Sequence, residues 1–172
     1  AAVGVGPLGH RGSHADRHGL PRVVSSQIPY SLLRREMHHD LAFCAKHGVG
    51  VTPYQSLQSG LLTGKYRRGH TPPGDSRAAE KPEWIWKQDD ALFDRLERIE
   101  DLARASGLTM TAFCLAATLM QPAMSSLIVG VKRIAQLREA VDAMEVNLNA
   151  EQLAKLDEIC LLPWRQPDPI RG

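Results

Sequence analysis

Apolar residues in this chain fall into short runs and 3.6-residue stripes, with little strict alternation. Val23 and Val24 centre a short strand candidate over residues 22–27, which Pro29 ends. Met37, Leu41, Cys44 and Ala45 recur at spacings of three and four, predicting a helix over 36–46 that His47-Gly48 stops. A second strand candidate spans 49–51. A long connection over 66–88 follows, carrying Pro72, Pro73, Gly74, Pro82 and two tryptophans; loops of this length are usually functional or mobile. Leu92, Leu96, Ile99 and Ala103 then stripe a helix over 89–105, closed by Ser106-Gly107. Thr109 is the expected N-cap of a buried helix running to Met120, ended by Gln121-Pro122.

Residues 126–129 read as a third strand, followed by Gly130. Ile134, Leu137, Val141 and Met144 mark an amphipathic helix. Asn149-Ala150-Glu151-Gln152 is a capping-box start for a last helix buried through Leu153, Leu156, Ile159 and Cys160. Strands separated by helices imply parallel pairing through right-handed crossovers. The expected fold is therefore α/β, with three convincing strands and a remnant of a fourth near Val3 and Val5. Residues 1–14 show neither period and read as an irregular segment, and His18-Gly19-Leu20-Pro21 reads as a helix stop. One domain is expected over 15–172.

Composition narrows the function classes. The chain has 172 residues, 43% hydrophobic and 23% charged, enough for one buried core. Its net charge of +2, with acids and bases interleaved, gives no reason to expect a nucleic-acid or membrane surface. No apolar run reaches the roughly 18 to 20 residues that span a bilayer. Cys44, Cys114 and Cys160 are far apart and sit in apolar helical patterns, so they read as buried thiols of a cytoplasmic protein, not bridges or metal ligands. His38 and His39 are adjacent, about 100° apart on a helix, and lack the i, i+4 spacing that suits a metal.

The richest stretch is 51–66, Val-Thr-Pro-Tyr-Gln-Ser-Leu-Gln-Ser-Gly-Leu-Leu-Thr-Gly-Lys-Tyr. An apolar run ends in a polar turn, then in a loop of small residues. This layout suits a strand that presents backbone amides to a phosphate-bearing ligand.

Four ordered segments between about Ala15 and Leu161 carry a specific resemblance: Gln27-x-x-Tyr30-x-Leu32-Leu33-x-Arg35, the 51–66 stretch, Ile128-Val129-Gly130-Val131-Lys132-Arg133-x-x-Gln136-Leu137, and Leu148-Asn149-x-Glu151-x-Leu153-x-x-Leu156-Asp157. Together they resemble the C-terminal half of the aldo-keto reductases, βα barrels that reduce carbonyls with NADPH. The branch most like it is the bacterial one related to potassium-channel β subunits. The resemblance implies a half TIM-type barrel of three to four parallel strands with C-terminal helices.

The same resemblance implies a cofactor set. Gln27 would hydrogen-bond the nicotinamide amide, and Tyr54 would stack on its ring. The backbone at Gln55, Ser56 and Leu57, with Gly60 and Leu61, would approach the pyrophosphate, and Lys65 and Arg77 would add positive charge. Gly130, Lys132, Gln136 and Glu139 match positions that hold the adenosine 2′-phosphate and adenine. Two departures stand out: Gln55-Ser56 replaces the family's Ser-Pro, and Ala140 replaces an adenine-binding Asn.

The family's catalytic Tyr, Lys, Asp and His lie upstream of the matched segments, so no catalytic residue is assigned. Gly4-Val5-Gly6-Pro7 stands where the family carries a Ser-Asn pair, and the loss of pattern up to about Ser13 is expected to mark a truncation or frameshift boundary. Three readings follow: an NADPH-linked carbonyl oxidoreductase by descent with negligible turnover alone, a non-catalytic nucleotide-binding module, and a half-barrel that self-associates to bury its open edges.

Overall fold

The computed structural model describes residues 17–160. The expected irregular segment over 1–14, and the strand remnant near Val3 and Val5, lie outside that range.

Residues 50–54 organise the molecule. Strand β1 (Ser25–Ser26) pairs in parallel with β2 (Gly50–Val51). The ladder runs beyond the short regular strands. Gly50, Thr52 and Tyr54 donate their amides to the carbonyls of Val24, Ser26 and Ile28, and Tyr30 N donates to Tyr54 O at 3.2 Å. On its other edge Val51 donates to Ala123 O at 2.7 Å and accepts from Ser125 N at 2.9 Å. Helix α1 (His38–Lys46) makes the crossover between β1 and β2. Parallel neighbours need such a crossover because a tight turn reverses the chain.

The third expected strand, over 126–129, is not regular, and Pro53 explains why. After Ser125 the next rung on this edge is Ile128 N to Pro53 O at 3.0 Å, three residues against two. Pro53 has no N–H to donate, so the ladder skips and the segment bulges. Two regular parallel strands are therefore described where three to four were expected, flanked by a paired but irregular third segment. A Cβ at Gly50 would meet Ser125 Oγ, so that side chain would have to turn aside. The first strand is also offset from expectation: Val24 faces solvent.

The helices follow their caps. Helix α2 (Arg77–Glu80) breaks the long 66–88 connection, with Ser76 as its N-cap. Asp89 caps α3 (Asp90–Ala105), which buries Leu92, Phe93, Leu96, Ile99 and Ala103 and stops at Gly107, φ 71°. Thr109 caps α4 (Met110–Leu119), whose residues 113–118 are all buried. Helix α5 (Ile134–Asp142) buries none of its residues, and α6 (Ala150–Ile159) opens with the expected reciprocal Asn149–Gln152 capping box. In α1, Leu41 and Cys44 face inward as expected, but Ala45 is exposed.

One core joins α3, α4 and α6 to Leu32, Leu33, Leu61, Leu62 and Tyr66; a second, smaller cluster sits between α1 and the strands. Arg35 crosses between the elements. It is 3% exposed, and its Nη1 donates to Asp157 Oδ1 at 2.6 Å and to Cys160 O at 3.0 Å. That pins the loop after β1 to the end of α6. Tyr30, fully buried beside it, hydrogen-bonds His38 Nδ1 at 3.0 Å. Burial raises the Tyr30 pKa and lowers that of His38, which keeps both neutral in that pair.

The three thiols are all buried and unpaired. Burial pushes Cys160 up to about 12, Cys114 well above the ordinary thiol value, and Cys44 upward. No single helix among the described residues is long and apolar enough to cross a membrane.

Removing one partner of a buried charge costs more than removing the charge itself. Asp157→Ala is expected to cost about 2 kcal/mol in urea unfolding, because the buried Arg35 guanidinium loses its carboxylate. Arg35→Met should cost less. Thiol reagent at pH 8 should label the native chain far more slowly than the urea-unfolded chain, since thiolate is the reactive form.

Candidate cofactor-binding site

The 54–66 loop leaves β2 in an unusual conformation. Gln55, Gln58 and Ser59 all have positive φ, at 61°, 46° and 55°, and Gly60 and Gly64 follow at 92° and 72°. Side chains other than glycine adopt this region at a cost, so other contacts must hold the loop. Gln58 is buried, and its Oε1 accepts from Ser31 Oγ at 3.0 Å. Tyr66 is buried and its hydroxyl bridges two segments, donating to Ser59 O at 3.4 Å and accepting from Ala78 N at 3.2 Å. Arg67 and Arg68 tie the loop's far end to α3 through Glu100, Asp90, Asp94 and Glu97.

The expected site residues divide by what they face. Leu61 is core, Leu57 packs partly against that core, and Ser56 is buried with its Oγ 3.4 Å from Pro53 O. These three can offer a ligand only backbone. The amides of Ser56 and Leu57 make no hydrogen bond among the described residues. Gln55 is exposed and accepts from Arg34 Nη1 at 3.4 Å. Gln27 is exposed and Tyr54 half-buried, on the paired segments that end at the loop.

The charged residues converge. Lys65 folds over Gly60, filling the space a Cβ there would take, and its Nζ sits 5.3 Å from the Tyr66 ring centroid. Burial pulls the Lys65 pKa down; Asp75 opposes this, while Lys132, Arg133 and Arg77 add to it. Lys132 Nζ donates to Asp75 O at 2.9 Å and pairs closely with Glu80. Arg133 reaches Asp75 Oδ2 at 3.3 Å. Arg77 lies over the Trp84 ring, 5.4 Å from its centroid, and 3.9 Å from Glu80. The hydrogen bond from Lys132 lowers the Glu80 pKa, so that carboxylate stays charged. Four cations thus gather around two carboxylates, with Lys65 lying over Gly60 of the loop, an arrangement that suits a phosphate-bearing anion.

The adenosine-side residues are placed less simply. Gln136 Oε1 accepts from Lys132 N at 2.8 Å and Arg133 N at 3.1 Å, so it caps α5. Glu139 accepts from Thr109 Oγ1 at 2.6 Å. Gly130 has open space where a Cβ would point. Sequence reasoning missed Asp75, Glu80, Arg133 and Tyr66 as parts of the site. The clustering of Asp75, Arg77 and Glu80 within one turn was the available signal for the first two; nothing local announced the Tyr66 bridge. Tyr30 and His70 do not join the cluster: Tyr30 is buried against His38, and His70 Nδ1 contacts Arg68 O at 2.9 Å. No group of three His, Cys, Asp or Glu side chains that could hold a metal occurs among the described residues.

Two parallel strands joined by a helix, with a third paired segment on the other edge, are the arrangement of part of a βα barrel. Residues 10–160 match the aldo/keto reductase family, and the chain belongs to it. Among curated relatives, Protein tas of Escherichia coli (strain K12) is 32% identical over 158 residues, covering 84% of this chain and 42% of that protein. A probable voltage-gated potassium channel subunit beta of Arabidopsis thaliana is 27% identical over 163 residues, covering 91% and 50%. The glycerol dehydrogenase AKR11B4 from Gluconobacter oxydans superposes with a TM-score of 0.71 at 26% identity, over 91% of this chain and 48% of that one. The chain spans about half the length of the curated relatives it matches.

The loop's shape rests on Gln58. Gln58→Ala should cost about 1 to 2 kcal/mol in urea unfolding, because it leaves the buried Ser31 hydroxyl without its acceptor.

Proposed function

We propose that this chain is the cofactor-holding half of an NADP(H)-linked carbonyl oxidoreductase fold, and that it binds the nucleotide without turning over carbonyls by itself. The carrying observation is the convergence of Lys65, Arg77, Lys132 and Arg133 around Asp75 and Glu80. The residues fit the cofactor's phosphates. Free amides and cations match a pyrophosphate, and Lys132 with Arg133 matches a 2′-phosphate at the N-terminal end of α5. The two carboxylates would have to yield these cations to the nucleotide, which makes the expected affinity modest.

When bound, NADPH would supply the hydride. The described residues would orient it: Gln27 is free to meet an amide at the strand end, and Tyr54 offers a ring face beside it. None of them is a proton donor placed for carbonyl reduction. General acid catalysis needs a donor within about 3 Å of its target, and the buried Tyr30 hydroxyl is committed to His38.

Fluorescence titration of the 172-residue chain with NADPH tests the reading. Saturable binding is expected, weakened at least fivefold by Lys132→Ala and weaker for NADH than for NADPH. Turnover of a simple aldehyde should stay at background. No saturation would remove the binding claim, and robust turnover would remove the claim of inactivity.

A further inference from the structure

Lys132 is held by two acceptors of different kinds. Its Nζ donates to the Asp75 carbonyl oxygen at 2.9 Å and to the Glu80 carboxylate. The carbonyl positions the ammonium and leaves its charge in place, whereas the carboxylate offsets that charge. Arg133 pairs with Asp75 at 3.3 Å, and Arg77 stands 3.9 Å from Glu80. Glu80 is thus the acid set directly on Lys132, one of the two cations assigned above to a 2′-phosphate.

The contact is one of charge more than of folding. Glu80 is the last residue of α2, and the first turn of that helix is fixed by Ser76, which accepts from Ala79 N. The Glu80 and Lys132 side chains are 41% and 52% exposed, and pairs of that kind contribute little to stability. The backbone of Lys132 is fixed separately, by its amide donating to Gln136 Oε1 at 2.8 Å. A neutral residue at 80 therefore leaves the lysine in place on the Asp75 carbonyl and removes the opposing charge.

We propose that Glu80 is a specificity-determining residue that holds down the preference of this site for NADP(H) over NAD(H). A 2′-phosphate has to displace the carboxylate from Lys132 and meets like charge beside it. A 2′-hydroxyl needs nothing from the lysine and can donate to a carboxylate, as the ribose of NAD does in other dinucleotide sites. The acid opposes one cofactor and spares the other. The inference rests on the nucleotide reading above and adds the residue that acts on the difference between the two cofactors.

Fluorescence titrations of the full chain with NADPH and with NADH, before and after Glu80→Gln, test it. The substitution should tighten NADPH roughly fivefold and leave NADH within about twofold. In a Lys132→Ala background it should shift neither, because the effect passes through the lysine. Glu80→Ala, which also suits a helix end, should give the same split with an unchanged far-UV circular dichroism spectrum. Equal tightening of both nucleotides, or no change in either, would overturn the proposal. Weakened NADPH binding would overturn it too, and would make Glu80 a support for Lys132. Saturation by NADPH that ignores Glu80→Gln removes this inference and leaves the nucleotide reading standing. Saturation only after Glu80→Gln removes that reading for the unmodified chain and keeps the inference. No saturation in either chain removes both.

Discussion

Five consecutive backbone positions, 50–54, hold the rest of the molecule in place. Their hydrogen bonds alternate: Gly50, Thr52 and Tyr54 turn to β1, while Val51 and Pro53 turn to the 123–128 segment. A parallel ladder permits this division because successive residues point their amides to opposite sides. Each flanking segment then delivers one part of the site. The β1 side carries Gln27 toward the strand ends, the 50–54 chain itself runs into the amide-rich loop, and the far side leads through Gly130 to Lys132 and Arg133. Proline at 53 limits the third segment, so the same residue that ends the regular sheet lets the chain bulge toward α5.

The cation cluster follows from this placement together with one small helix. Helix α2 brings Arg77 and Glu80 across to the start of α5, and Ser76 holds its first turn. Lys132 bonds to this segment twice, through Asp75 O and through Glu80. The two carboxylates offset only part of the charge of four crowded cations, and the pairs are exposed, so each contributes little to stability. Their value is positional: they hold charge at a spot where a phosphate would find several partners at once.

Much of this was readable in the chain. The N-caps Thr109 and Asn149, the stops at Gly48 and Gly107, and the buried stripe of α3 were local patterns, and local physics keeps them. The family was readable because four segments recur in order, each tied to a strand end or a helix start. What the sequence hid was relational. Pro53 silences a rung that belongs to another segment, 70 residues away. Arg35 is a charged residue in a polar-looking loop, yet it is buried because Asp157 and Cys160 meet it from the last helix. The α5 stripe looked like any amphipathic helix. Nothing in its periodicity distinguishes a face covered by its own chain from one left open.

The buried pair of Gln58 and Ser31 carries a consequence for descent. Gln58 stands in a backbone conformation that glycine would adopt freely, yet the side chain is what fastens the loop to the segment after β1. A glycine there would ease the backbone and orphan the serine; an alanine at 31 would strip the glutamine of its reason to tolerate the strain. Neither single step is neutral, whereas the double replacement removes both polar groups together. Across related sequences, positions 31 and 58 should therefore drift as one unit, and their joint change would record where a lineage re-engineered how this loop is anchored.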